Sequence, residues 1–444
     1  MDTASGSIHS VDNVAYDAII MFEKHGREAT VKMIKEQYTK LEDNEIIELI
    51  DEIEELQNQG KLYSCDTFDT VEENKGIPLL KALCLNVSHA CNMRCLYCFA
   101  GKGEYGGDSA LMPLDTGIRA IDFLLENSEG RTNLDIDFFG GEPLLNWDVI
   151  KGIVDYARKK EKKSEKRFRF TLTTNALLID DDVIDFTNKE MNNVVLSIDG
   201  RQETNDAMRK MPDGRGSYKE ILPNIAKIVK SRVGKEYYIR GTFTRNNPDF
   251  FQDVLHLADL GFTELSMEPV VAKPGASYAF GMDDLPFLME QYEQLAKEII
   301  ARNKDKRGFA FYHYKLDLTG GPCLHKRLAG CGVGTEYLAI TPSGDIYPCH
   351  QFVGDASFKM GDIWSGIQED ALRKEFSDCN IYSRTECRDC WARFYCSGGC
   401  AANAWNENGS INSVYKLGCE LFKKRLECAI MIIVAETIPQ DGSC

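Results

Sequence analysis

Cys91, Cys95 and Cys98 fall on one short stretch, CNMRCLYCFA, with Tyr97 directly before the last of them. Three thiolates on a tight loop can hold three irons of a four-iron cluster and leave the fourth without a protein ligand. A structural metal site normally closes its last position, whereas a catalytic one keeps it open for substrate or cofactor. The alternative is half of a zinc site or a chance grouping. The stretch directly follows a strand-like apolar run, Leu83-Cys84-Leu85-Asn86-Val87, which argues for an ordered loop at a strand end.

Further candidates follow in the chain. Gly140-Gly141-Glu142-Pro143 combines two glycines, which let the backbone approach a ligand, with a carboxylate that can accept from an amine. Thr174-Asn175 could line the same pocket. Ser197 and Asp199, in LSIDG, suit sugar hydroxyls. Arg209 could pair with a ligand carboxylate or make a surface ion pair. Met267-Glu268-Pro269 could contact a ring system or simply shape a loop. The last third holds Cys323, Cys331 and Cys349, then Cys387, Cys390, Cys396 and Cys400, then Cys419. A hairpin is expected at Tyr337–Ile340, a Thr341-Pro342-Ser343-Gly344 turn and Asp345–Tyr347. Paired zinc sites are the alternative here, but only Cys387/Cys390 forms a C-x2-C knuckle. Cys65, Cys84, Cys379, Cys428 and Cys444 read as buried or free thiols.

These residues need elements to position them. Strands are expected at 83–87, 134–139, 168–173, 193–198, 238–243 and 264–267, and helices at 115–126, 147–162, 181–188, 217–230, 248–257 and 284–302. Six β/α units imply an α/β fold with a parallel sheet, and right-handed crossovers curl it toward a partial (β/α)6 TIM-like barrel. In such barrels chemistry sits on loops after the strand C-terminal ends, where these motifs fall. Three domains are expected, at 1–75, 76–310 and 311–444. The first reads as a short strand (Ser7–Val11), three helices and a closing strand (Lys61–Ser64). Its helices carry Glu45, Glu48, Asp51, Glu52, Glu54 and Glu55, a poor match for DNA phosphates. It reads instead as a winged-helix-like unit able to take a peptide as an added strand, or as a plain helical cap.

The 444 residues are 43% hydrophobic and 27% charged, with a net charge of −17, which argues against a broad nucleic-acid surface. No apolar run is long enough to span a membrane. No secretory signal opens the chain, so the 16 cysteines are expected in the reducing cytoplasm, bound to metal or clusters rather than in disulfides.

The triplet resembles that of the radical S-adenosylmethionine (SAM) enzymes. In that family the open iron binds the amino and carboxylate groups of SAM, and one electron cleaves SAM to a 5′-deoxyadenosyl radical. The resemblance implies SAM contacts at Tyr97, Gly140, Gly141, Glu142 (amino group), Asn175, Ser197 and Asp199 (ribose), Arg209 (carboxylate) and Met267 (adenine). The C-terminal cysteine pattern resembles the SPASM extension. By position, Cys331, Cys349 and Cys400 would hold auxiliary cluster I, and Cys387, Cys390, Cys396 and Cys419 auxiliary cluster II, giving three [4Fe–4S] clusters. Cys323 stands where some relatives supply a fourth ligand to cluster I; without it one iron could bind a substrate thiolate. His350 follows Cys349, at a position where sulfatase-maturing relatives carry a basic aspartate, and is a candidate base. Over the full chain the pattern is most similar to thioether-forming SCIFF-peptide maturases of the CteB type. That implies a cysteine-rich precursor peptide with a leader, held by the N-terminal domain, and a reductant such as flavodoxin or ferredoxin. Peptide oxidation or carbon–carbon cross-linking, including sulfatase-maturase-like chemistry, is the alternative reaction, and a non-catalytic iron–sulfur peptide scaffold the alternative class.

Overall fold

The computed structural model describes residues 1–68, 78–272, 275–316 and 324–437. The first unit is helical: α1 (Asn13–Gln37) and α2 (Asp43–Asn58). Gly26, at φ +74°, breaks α1 into two segments, so the three expected helices are present. They enclose a small core of their own, with Phe22, Ile34, Ile46, Ile50 and Ile53 at its centre. The two expected strands do not form. Their segments meet, but side chains join them: His9 Nε2 lies 2.9 Å from the Lys61 carbonyl, and Asp2 accepts from the Ser5 and Ser64 amides. Tyr63, at φ +53°, interrupts the extended path. Only the helical part of the winged-helix expectation is therefore present among the described residues, and it offers no strand edge there.

Asp66 latches this unit to the far end of the chain. Its carboxylate accepts from Tyr382 Oη (2.9 and 3.0 Å) and Arg393 Nη2 (3.1 Å), while Phe68 meets Phe394 edge-on at 5.4 Å. Asp66→Ala is expected to cost about 1–3 kcal/mol at this contact. Hydrogen exchange should rise in residues 378–396 while α2 keeps its protection; equal loss in α2 would mean that the N-terminal core does not stand alone.

The barrel follows in β/α alternation, with two helices between β4 and β5: β1 (Ala82–Ser88), α3 (Leu114–Glu126), β2 (Asn133–Gly140), α4 (Trp147–Glu161), β3 (Arg167–Thr174), α5 (Asp181–Glu190), β4 (Asn193–Ser197), α6 (Gln202–Met208), α7 (Tyr218–Ser231), β5 (Glu236–Phe243), α8 (Phe250–Asp259), β6 (Glu264–Pro269), α9 (Leu285–Lys304) and β7 (Ala310–Phe311). All six expected strands form and pair in parallel in chain order. One face of each carries the core: Leu83, Leu85 and Val87 on β1, Leu134, Ile136 and Phe138 on β2, Phe168, Phe170 and Leu172 on β3. These pack on the helices. The alternate positions, among them Cys84, Asn86, Asp137, Thr171, Ser266 and Glu268, share the opposite face. The concave side of the sheet is therefore polar.

The C-terminal third continues the same sheet. After α10 (Leu324–Ala329), β8 (Tyr337–Ile340) lies parallel to β1 on its free side, and β9 (Asp345–Tyr347), β10 (Gly361–Asp362) and β11 (Gly366–Ile367) extend it, giving eleven strands in the order β11-β10-β9-β8-β1-β2-β3-β4-β5-β6-β7. Short helices α11 (Asp370–Asp378), α12 (Thr385–Arg388), α13 (Arg393–Cys396) and α14 (Ala401–Asn408) follow, with Cys387 in α12 and Cys396 in α13. The last helix, α15 (Lys416–Thr437), returns to pack on α9, where Lys424 pairs with Glu293 at 3.0 Å. No described helix is long and apolar enough to cross a membrane.

Candidate active site

The loop after β1 is held from three sides. The Arg94 and Leu96 amides donate to the Lys210 and Met208 carbonyls (2.7 and 2.9 Å). Arg94 Nη1 donates back to the Cys91 and Met93 carbonyls (2.6 and 2.8 Å). Asn175 Nδ2, at the end of β3, donates to Asn92 Oδ1 at 2.7 Å and lies 3.8 Å from Cys91 Sγ. The three thiols are brought near enough to act on one another electrostatically. Burial, then neighbouring acidic groups and thiols, push Cys91 up to about 12. A thiolate here therefore needs a cationic partner such as bound metal.

The glycine turn packs directly under this loop. The Gly141 amide donates to the Ser88 carbonyl (2.8 Å) and the Glu142 amide to the Ala90 carbonyl (2.9 Å). A Cβ on Gly140, itself at φ +133°, would stand 2.3 Å from the Ser88 carbonyl oxygen, and one on Gly141 2.4 Å from that of Ala90. Only glycines allow the two segments to touch. Glu142 is fully buried, and its carboxylate accepts from Leu144 N (3.0 Å), Thr174 Oγ1 (2.8 Å) and Asn175 N (2.8 Å). The sequence suggests this carboxylate as an acceptor for a ligand amine; the fold uses it to tie the ends of β2 and β3 together.

Across the opening, Tyr97 Oη donates to Asp199 Oδ2 at 2.6 Å, and Arg209 Nη1 donates to Tyr97 Oη at 3.1 Å. Asp199 Oδ1 accepts from the Thr242 amide at 3.0 Å. Both oxygens of Asp199 thus serve the protein, and Ser197, half-buried at the end of β4, is the freer hydroxyl of the pair. Arg209 is buried, with Nε unpartnered among the described residues. Met267 is a different case. It shares its face of β6 with Leu265, is 1% exposed, and seats its sulfur over Gly241. A shift of one residue along a strand changes the face, so the inward groups are its neighbours Ser266 and Glu268. Burial opposes ionisation of Glu268, yet His313 (3.2 Å) and Arg425 (3.1 Å) bring it down to about 2.

The later cysteines form two groups. Cys331, Cys349 and Cys400 influence one another electrostatically, as do Cys387, Cys390, Cys396 and Cys419. Burial comes first among the causes that raise Cys396 to about 12 and Cys387 to about 11. Cys323 lies outside the described residues. His350 stands between Phe99 of the first loop and Phe139 of β2, with ring centroids 5.7 and 4.7 Å away, and Nδ1 is 3.5 Å from Tyr337 Oη. Burial, then Arg240, lowers it to about 4, so it is neutral at pH 7.

Among the described residues no three or more Cys, His, Asp or Glu side chains converge tightly enough to enclose a metal ion. The fit of iron–sulfur clusters therefore rests on the donors: an all-thiol set in three groups. Buried polar atoms without partners also stand around the first loop: Asn86 Nδ2, His89 Nε2, Tyr105 Oη and Arg209 Nε. By this measure the residues fit.

Tyr105 and His89 (stacked at 4.7 Å), Asn92 and Asp137 escape the motif reading. The signal for Asp137 was present in NLDIDFF, whose polar positions alternate. Burial, then Asp135, raises Asp137 to about 6 against an opposing bond from Thr171. A raised carboxylate favours folding at low pH and loses that contribution as pH climbs from about 4 to about 6. Asp137→Asn should therefore gain on wild type over that window by about 2–3 kcal/mol, read by urea unfolding at several pH values. A pH-independent difference would refute the assignment.

Comparison with known proteins agrees with this architecture. Residues 85–258 match the model of the radical SAM superfamily and residues 331–391 that of an iron–sulfur cluster-binding domain, SPASM. The chain is 22% identical to the radical SAM cyclopropyl synthase TigE of Paramaledivibacter caminithermalis, over 94% of this chain and 89% of that one. It is 25% identical to a cysteine-type anaerobic sulfatase-maturating enzyme of Clostridium novyi, over 81% and 98%. Its fold resembles the solved structure of native anSMEcpe with bound AdoMet and Kp18Cys peptide, with a TM-score of 0.65 at 21% identity over 81% of this chain and all of that one. The chain thus carries a radical SAM domain, built on the partial barrel, followed by a SPASM domain that extends its sheet.

Proposed function

We propose that this chain is a radical SAM peptide maturase that forms thioether links, cysteine sulfur to α-carbon, in a cysteine-rich precursor peptide. One observation carries the reading: the Cys91/Cys95/Cys98 loop opens onto the polar concave face of the barrel, where His350 packs between Phe99 of that loop and Phe139 of β2. Relatives named as maturating enzymes and a similar fold solved with a peptide support the substrate class.

Cys91, Cys95 and Cys98 would hold the SAM cluster, and the late cysteines the two auxiliary clusters. When bound, the SAM cluster supplies the electron that cleaves SAM to the 5′-deoxyadenosyl radical. The residues of this chain bind and orient. Arg209 would hold the SAM carboxylate, the Gly140–Glu142 turn the amino group, and Ser197 the ribose. Asp199 keeps Tyr97 and Arg209 in place. His350 is the candidate base for the peptide thiol. The helical N-terminal unit holds the leader, and flavodoxin or ferredoxin is the reductant.

The test is the mass of a cysteine-rich peptide after anaerobic turnover with SAM and reductant. Thioether formation removes a pair of hydrogens and protects a cysteine from alkylation. The same mass loss with every cysteine still alkylated would reject the thioether and favour carbon–carbon linkage or oxidation, the second reading, which the similarity to sulfatase-maturating enzymes supports.

A further inference from the structure

Arg384 caps α12 and is 3% exposed. Its guanidinium reaches into the ground between the two late thiol groups. Nη1 donates to the Gly398 carbonyl, which lies between Cys396 and Cys400. Nη2 donates to the Ile411 carbonyl at 2.7 Å and to Cys379 Sγ at 3.0 Å. Nε has no partner among the described residues, and no carboxylate there pairs with the group. Gly398, at φ +83°, makes the approach possible, since a Cβ would stand 2.5 Å from Nη1. A cavity of about 20 Å³ beside it is lined by Cys331, Cys379, Ser397, Gly399 and Ala401.

An unpaired guanidinium this deep is costly, because neutral carbonyls do not replace the water and counter-charge it has lost. In a chain of net charge −17 many acidic groups could have been set against it, and none is. The thiols of Cys379, Cys387 and Cys419 lie within its field, the last two assigned to auxiliary cluster II, and the Cys387 amide donates to the Arg384 carbonyl at 3.0 Å. A four-iron cluster on four thiolates is a buried anion that becomes more negative on reduction. Net charge, hydrogen bonds and solvent exposure set the potential of such clusters. A fixed cation beside one stabilises the reduced state most.

We propose that Arg384 is the counter-ion of auxiliary cluster II and raises its reduction potential. It is a positioning residue that touches no substrate. The inference rests on the assignment of Cys387, Cys390, Cys396 and Cys419 to one cluster, and not on which peptide bond is made.

The experiment is an EPR-monitored redox titration of the anaerobically reconstituted full chain as wild type, Arg384→Gln and Arg384→Lys, with iron content measured in parallel. A Cys387→Ala/Cys390→Ala variant identifies which signal belongs to cluster II. The expected result is a shift of that signal to more negative potential in Arg384→Gln and its return toward wild type in Arg384→Lys, with the SAM-cluster signal unmoved. Iron lost from Arg384→Gln but kept in Arg384→Lys also supports the charge role. An unchanged potential in a fully loaded Arg384→Gln overturns it. Equal iron loss from both variants also overturns it, since the planar fork and not the charge would then be what matters. Peptide turnover is not the readout, so failure of the thioether reading would leave this result intact.

Discussion

Replacing Cys91, Cys95 and Cys98 together by alanine is expected to remove about four of about twelve irons per chain and to abolish 5′-deoxyadenosine formation. The fold should survive. The loop is held by main-chain bonds from Arg94 and Leu96 to the segment 208–210 and by Asn175 Nδ2 to Asn92, none of which needs a thiol. Circular dichroism of the apoprotein should match wild type, and the eight remaining irons should stay. Retained SAM cleavage would move radical generation away from this loop. Zinc in place of iron in the wild type would remove the enzymatic reading altogether.

Glu142→Ala is expected to have the next largest effect, and through stability before chemistry. The substitution strands three buried donors, the Leu144 and Asn175 amides and the Thr174 hydroxyl. Each stranded donor costs about 1–3 kcal/mol, so the sum is about 3–9 kcal/mol. Asn175 would be released with it, and Asn175 is what pins Asn92 beside Cys91. Thermal unfolding should therefore drop and cluster retention fall together, while Glu142→Gln, which keeps one acceptor oxygen, falls in between. A normal melting temperature with only weaker SAM binding would return the carboxylate to the role of a direct ligand.

That contrast marks how far the sequence could be read. The six barrel strands were legible because their core-facing positions, such as Leu83, Leu85 and Val87, repeat with period two between turn residues. The turn glycines were legible for the same local reason. What Glu142, Asp199 and Met267 do was not, because it depends on partners 32 or more residues away, as with Thr174, or on which face of β6 is turned inward. The N-terminal strands were misjudged since a short polar segment becomes a strand only if another backbone pairs with it, and here Asp2 and His9 made the connections instead. β7 has two residues and no period to detect. Arg384 lies in a stretch with no motif, and its burial comes from a carbonyl 14 residues away.

The pairing of β8 with β1 has a mechanical meaning. Ala82 lies beside Tyr337, and β9 runs back from the turn, so Cys331 and Cys349 extend from the chain ends of the hairpin at the Ala82 end of β1, while Cys91 follows the Ser88 end. One strand acts as the gauge between the two thiol sites. Its length is set by the pleat, about 3.3 Å per residue, and hydrogen-bonded neighbours on both sides prevent it from stretching or hinging. The two centres therefore behave like the fixed jaws of a vice. A protein built this way can change its product by reshaping what sits between the jaws, at Asn86, Asp137 or His350, but not by moving the jaws themselves.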